Sequence, residues 1–66
     1  MSKNTEMVID LNIGRDAAKI IRDNARSIER FADHFKGADV AVYRAICDSI
    51  ALHSKHLIEL IDNRLP

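Results

Sequence analysis

The apolar residues between Ala18 and Phe35 constrain the fold of this chain more than any other feature of its sequence. They are separated alternately by three and four residues, and small alanines alternate with large side chains: Ala18, Ile21, Ala25, Ile28, Ala32 and Phe35. This spacing holds the side chains in one narrow seam along an α-helix. The pattern therefore predicts a helix that packs along its length against another helix.

The second half of the chain carries a matching seam. Its members keep the same spacing and also alternate between bulky and small side chains: Val40, Tyr43, Cys47, Ile50, Ser54, Leu57 and Ile61. If the chain folds back on itself, nearly every layer sets a small residue against a large one, as in Ala25 opposite Ile50, which fills a bundle interior without voids. We predict an all-α fold, an antiparallel helical hairpin with helices at about 14–36 and 39–64.

Residues near the ends of the two seams mark the predicted helix boundaries. Asn12 or Gly14 begins the first helix. Lys36 and Gly37 end it, since glycine adopts the left-handed conformation that closes many helices. Asp39 is predicted to cap the second helix. The few residues left for the loop make the two helices antiparallel neighbours.

The segment before the first seam shows a different periodicity. Large apolar residues occupy every second position there, which is typical of a β-strand: Met7, Ile9, Leu11 and Ile13. We predict that residues 1–13 form a short extended arm or strand within a single domain of residues 1–66. A lone strand must pair with its symmetry mate, lie along a helix or join a partner's sheet.

The size of the chain and its surplus of apolar residues predict a homodimer. A domain of 66 residues rarely gains more than ~3–5 kcal/mol of stability from its core alone, and Cys47, the only cysteine, cannot form an intrachain disulfide. The second helix also carries apolar residues beside its seam: Val42, Ala45, Ile46, Ala51, Leu52, Ile58 and Leu60. Two hairpins packed into a four-helix bundle bury this surplus, with both seams in the shared core.

Net charge and hydropathy argue against several classes of partner. Ten basic and ten acidic side chains cancel, so no overall field attracts nucleic acid or an anionic membrane. No apolar run approaches the roughly 18 residues that span a bilayer, and no secretory signal is present. We expect a cytoplasmic protein that binds no membrane and keeps Cys47 reduced.

No set of residues indicates catalysis, a cofactor or a metal ion. His53 and His56 have a spacing compatible with two metal ligands, but the third histidine, His34, lies near the opposite end of the hairpin. A thiol at the seam position of Cys47 is buried and has a raised pKa. The carboxylates are dispersed rather than paired in one pocket, and a chain this small offers no ordinary cavity for a small-molecule substrate. We expect a protein that is not an enzyme.

Basic residues on the first helix form an alternative site, one for nucleic acid. Five of them run along the helix in a stripe that could follow the phosphates of RNA: Arg15, Lys19, Arg22, Arg26 and Arg30. Acidic residues interrupt this stripe. A dimer would double its width, and RNA binding therefore stays open as an alternative function.

The two seams and the run from Ile46 to Ile50, with His53 and Leu57, resemble the Rop (Rom) family of plasmid proteins. The resemblance implies a dimeric four-helix bundle that binds paired RNA loops and modulates plasmid copy number. The RNA-binding face of that family lies on the first helix and combines basic and amide side chains with an aromatic one. By heptad register the corresponding positions here are Ile9, Asp16, Ile20, Asn24 and Phe31. Of these, only Asn24 keeps a similar character.

The function that we predict from the sequence is protein binding, with two alternatives. Residues 49–53 resemble part of the helical TraM-type antiactivators, which implies binding to a transcription factor. We interpret the chain as a non-enzymatic regulatory protein of the inhibitor, antiactivator or adaptor type, with an apolar partner-binding surface: Met7, Ile9, Leu11, Ile13, Ile20 and Phe31. Rop-like RNA binding is the alternative. A ribbon-helix-helix DNA-binding regulator with residues 7–13 as its ribbon is the third, although Glu6 and Asp10 would repel phosphate.

Overall fold

The computed structural model describes residues 3–66, which form a hairpin of two long helices. Helix α1 spans Lys3–Glu29, a 3₁₀ helix continues it over Arg30–His34, and helix α2 spans Ala38–Asp62. The hairpin is a rod with extents of 54 × 15 × 12 Å. The predicted all-α helical hairpin is thereby confirmed.

The predicted N-terminal arm is wrong, because α1 already includes residues 3–13 and residues 3–66 contain no strand. Leu11, Gly14 and Ala18 extend the seam by further steps of three and four residues. A helix satisfies its backbone hydrogen bonds locally, whereas an isolated strand leaves them unpaired. Asn12 lies inside the helix, where its side-chain amide donates to the carbonyl of Val8 at 2.8 Å. Residues 1–2 of the predicted arm lie outside the described residues.

Small side chains form the contact between the two helices. Five small residues are buried where the helices meet: Ala18, Ala25, Ala32, Cys47 and Ser54. The three alanines expose no more than 2% of their surface, and the Ser54 hydroxyl is satisfied by donating to the carbonyl four residues earlier at 2.7 Å. The largest buried side chain in the described residues is that of Ile58. The helices therefore approach closely, and large seam residues such as Ile21, Ile28 and Leu57 lie beside the contact rather than within it.

The helix ends near the loop differ from those predicted. The α-helical part of the first helix ends at Glu29, and after the 3₁₀ helix the Phe35 amide donates to the carbonyl of Ala32 at 3.0 Å. Gly37 has the positive φ expected of it, 62°, but it occupies the N-cap position of α2. The prediction that Asp39 caps the second helix is therefore wrong. It lies in the first turn of α2, where a carboxylate still interacts favourably with the positive end of the helix dipole.

Candidate protein-binding surfaces

Large apolar residues of both helices lie together on one side of the hairpin. Successive residues turn by about 100° around a helix. Ile21, Ile28 and Phe35 therefore lie to one side of the buried alanines of the first helix. On α2, Ile50 and Leu57 of the seam and Ile46 beside it lie to the same side of Cys47. We call this surface the apolar face and define it by six residues: Ile21, Ile28, Phe35, Ile46, Ile50 and Leu57. Each of them exposes between 37 and 55% of its surface. One hairpin therefore leaves a continuous apolar surface in water.

A shallow cleft lies at the end of the apolar face near the loop. Its volume is about 200 Å³, and its lining comprises Phe35, Asp39, Val42, Tyr43 and Ile46. The rings of Phe35 and Tyr43 stack with their centroids 4.6 Å apart, and the Tyr43 hydroxyl donates a hydrogen bond to a backbone carbonyl of α1. Ligand pockets usually measure about 300–1000 Å³. The cleft therefore suits a side chain of a partner better than a small-molecule substrate.

Ion pairs join the two helices on the opposite side of the hairpin. The Arg15 guanidinium lies 3.1 Å from the Asp62 carboxylate, and the Arg44 guanidinium lies 3.3 Å from the Asp33 carboxylate. We call this side the polar face and define it by these four residues. Exposed pairs of this kind contribute about 0–1 kcal/mol each, so they help to orient the helices without holding the hairpin together. The hairpin therefore has two sides of different chemistry.

Two carboxyl groups and the buried thiol interact on the same side as the polar face. A hydrogen bond with Asp48 is the main reason why the pKa of Glu29 is raised; burial and the negative charge of Asp48 raise it further, and Arg44 opposes them. Burial is the main reason why the pKa of the Cys47 thiol is raised, and the charges of Glu29 and Asp48 add to it. The thiol is therefore protonated at neutral pH and is a poor nucleophile.

Four of the six residues predicted to bind a partner lie together on the outer side of α1 and its 3₁₀ extension. They fall within roughly 40° of one line along the helix, and we call them the outer stripe: Ile9, Ile13, Ile20 and Phe31. Each exposes between 45 and 63% of its surface. The stripe is about 33 Å long at a rise of about 1.5 Å per residue. Leu11 instead is half-buried along the seam, and Met7, one helical turn before it, follows the same line.

The basic residues of the alternative RNA site share one side of the first helix, but their charges are partly neutralised. Arg15 and Arg22 form ion pairs with Asp62 and Asp23. Arg30 donates to a backbone carbonyl three residues earlier, at 3.2 Å. The exposed basic residues of this stripe are Lys19, Arg26 and Arg30. The surface is therefore less basic than its sequence indicates.

The remaining candidate groups form no enclosed centre in the described part of the chain. His53 and His56 are both exposed on α2. Within residues 3–66, no three or more His, Cys, Asp or Glu side chains are grouped so that they could hold a metal ion. Neither of the two helices described is long and apolar enough to cross a membrane. Within residues 3–66, the candidate functional features are therefore the apolar face and the outer stripe.

The chain was compared with family models, curated proteins and solved structures. No family model, no curated protein and no solved structure matches the chain. The resemblance to the Rop family therefore stays a prediction.

Sequence reasoning missed that the large seam residues form one surface. The signal was present in a constant offset of three residues after each small seam residue, which gives Ile21, Ile28 and Phe35 on the first helix and Ile50 and Leu57 on the second. In an antiparallel pair the same offset turns both sets to the same side. The apolar face could have been found in this way.

Proposed function

We propose that this chain is a small regulatory protein without enzymatic activity, which acts by binding a protein partner through the outer stripe. The observation that supports the proposal is the stripe itself, four large and half-exposed apolar side chains aligned along one helix. Scattered exposed apolar residues are normal in folded proteins, whereas an aligned group marks an interaction surface. The proposal places the protein in the cytoplasm, where a lone thiol such as that of Cys47 stays reduced.

The shape of the outer stripe favours a helical partner. Ile9, Ile13 and Ile20 follow one line, along which a second amphipathic helix can lay its own apolar residues one to three turns apart. Phe31 adds an aromatic side chain of the type that often anchors protein interfaces. Asp16 is exposed beside the stripe, where a basic residue of the partner would be favoured. We therefore expect a partner helix that is apolar on one side and basic beside it.

RNA and DNA binding have less support than protein binding. Two of the five basic residues, Arg15 and Arg22, already pair with carboxylates. Three positions at which the resemblance expects an RNA-binding residue belong to the apolar outer stripe: Ile9, Ile20 and Phe31. The DNA-binding alternative required a ribbon over residues 7–13, and these residues are helical. We therefore keep RNA as an outcome of the test and do not propose DNA binding.

The test is capture of the partner from lysate of the native host, with nuclease added to half of each sample. The double variant Ile20→Ser/Phe31→Ser alters the outer stripe, and Lys19→Ser/Arg26→Ser is a matched control with two exposed residues changed on the same helix. We expect wild type and control to retain one protein partner, with or without nuclease. The stripe variant should lose it while keeping the helicity of wild type by circular dichroism.

The opposite pattern would overturn the proposal. Capture that nuclease abolishes, and that Lys19→Ser/Arg26→Ser loses while the stripe variant keeps it, supports RNA binding instead. Retention of the protein partner by the stripe variant would also contradict the proposal, since the binding surface would then lie elsewhere.

A further inference from the structure

The apolar face is a surface that a single hairpin does not bury, and its occupant follows from area, shape and charge. We propose that it binds a second copy of this chain, in a symmetric dimer with the two loops at opposite ends. The six residues of the face then form the core that the described hairpin lacks, since its buried residues are mostly alanine, cysteine and serine. This inference uses a different surface from the outer stripe and does not depend on it.

The exposed area of the chain exceeds that of a compact monomer. The hairpin exposes 5132 Å², whereas a compact monomeric protein with its mass of 7.5 kDa exposes about 4250 Å². The excess of about 900 Å² is close to the roughly 800 Å² that each partner buries in a stable protein interface. One further copy is therefore enough to cover the surplus.

The shape of the hairpin indicates the same occupant. Its radius of gyration is 15.8 Å, compared with about 11 Å for a compact domain of this length. A rod with a thickness of 12 Å can become compact only by lateral packing. A second copy can lie alongside the apolar face, and two hairpins packed in this way form a four-helix bundle.

The distribution of charge permits the apolar face to pair with itself. The ion pairs between Arg15 and Asp62 and between Arg44 and Asp33 lie on the polar face. Association through the apolar face would therefore bury no charged pair of either copy. The centre of the face would carry apolar side chains only. This is the composition of the core of a homodimer interface.

Charges at the two ends of α2 favour the arrangement with opposite loops. Asp39, in the first turn of α2, precedes Ile50 by eleven residues, and Arg64, in the turn that follows α2, comes seven residues after Leu57. The Arg64 amide donates to the carbonyl of Ile61 at 2.9 Å, so the chain keeps a helical turn there. Both intervals therefore return nearly to the same side. Asp39 indeed lines the cleft at the loop end of the apolar face. With the loops at opposite ends, Asp39 of each copy lies near Arg64 of the other. Complementary charge at both ends of the interface then favours this orientation.

Sedimentation equilibrium over a concentration series tests the dimer. Wild type should sediment with twice the 7.5 kDa mass of the chain at micromolar concentration. The face variant Ile28→Asp/Ile50→Asp should dimerise on the order of 100-fold more weakly, because its new charges would be desolvated in the interface. The matched control Ile13→Asp/Ile20→Asp places the same charges on the outer stripe and should remain a dimer. A helical wild-type monomer, or a dimer that survives in the face variant and is lost in the control, would overturn the inference.

A distance measurement tests the orientation without altering the apolar face. A spin label at Lys36→Cys, in a Cys47→Ala background, reports the separation of the two loops. Loops at opposite ends should lie about 38 Å apart, the length of the 25 residues of α2 at ~1.5 Å each. A separation below about 20 Å would place the loops at the same end and refute the proposed arrangement. The proposed function is tested separately, because loss of partner capture by a protein that still dimerises concerns only the outer stripe.

Discussion

Replacing Gly14 by alanine should stabilise the hairpin, because Gly14 lies inside α1 and not at its beginning. Alanine is favoured over glycine within a helix by about 1 kcal/mol. A Cβ atom at Gly14 would lie 3.7 Å from Cδ1 of Ile61, an ordinary van der Waals distance, and would meet no closer atom of the other helix. A gain of about 1 kcal/mol raises the melting temperature of a chain of this length by roughly 7 °C.

The same substitution at Gly37 should have the opposite effect. Its φ of 62° and ψ of −138° lie in a region that costs about 1–3 kcal/mol for residues with a Cβ. Thermal unfolding of both variants should be followed by circular dichroism at one fixed protein concentration, because self-association makes the midpoint concentration-dependent. A lower melting temperature for Gly14→Ala would refute its place inside α1 opposite Ile61. An unchanged or higher one for Gly37→Ala would refute the conformation of the loop.

Three further substitutions or probes test the helix contact and its neighbouring groups. Ala25→Leu should destabilise the fold by about 1–3 kcal/mol in urea unfolding, since buried Ala25 lies where the helices meet. The raised pKa of Glu29 means that its contribution to stability is complete below the ordinary value of 4.5 and is lost as the pH rises through the raised value. Glu29→Gln should therefore raise the urea midpoint at about pH 8 and leave it nearly unchanged at about pH 4; an equal shift at both would contradict the link to Asp48. The Cys47 thiol should react with a disulfide reagent only as fast as the hairpin opens, and a rate equal to that of an unfolded peptide would show that it is exposed.

The two helices and their line of buried residues could be predicted, because the seam spacing persists over many turns and small residues recur at Ala18, Ala25 and Ala32. The first eleven described residues could not be assigned by the same rule. Met7, Ile9, Leu11 and Ile13 occupy every second position, which fits one face of a strand. The same spacing also fits a helix on which Met7 and Leu11 follow the seam while Ile9 and Ile13 lie on the outer side. Tertiary context decides between these, since Leu11 is half-buried along the seam as part of α1.

The outer stripe was predictable in part. Ile9, Ile20 and Phe31 are each eleven residues apart, which is close to three helical turns, but the predicted arm concealed this relation. The constant offset of the large seam residues after the small ones predicts the side on which they lie only once the small residues are known to form the helix contact. The interaction of Glu29 with Asp48 joins groups from different helices, which only the register of the hairpin brings together.

The short loop between the helices determines the order in which the contacts of the hairpin form. The ion pair between Arg44 and Asp33 closes 11 residues of chain, whereas that between Arg15 and Asp62 closes 47. The entropy of closing the longer segment directly makes that contact less favourable by about 1.3 kcal/mol. Contacts near the loop therefore form first, and each one shortens the closure that the next requires. We therefore expect the helices to join from the loop towards the termini, and the end with the termini to separate first on unfolding.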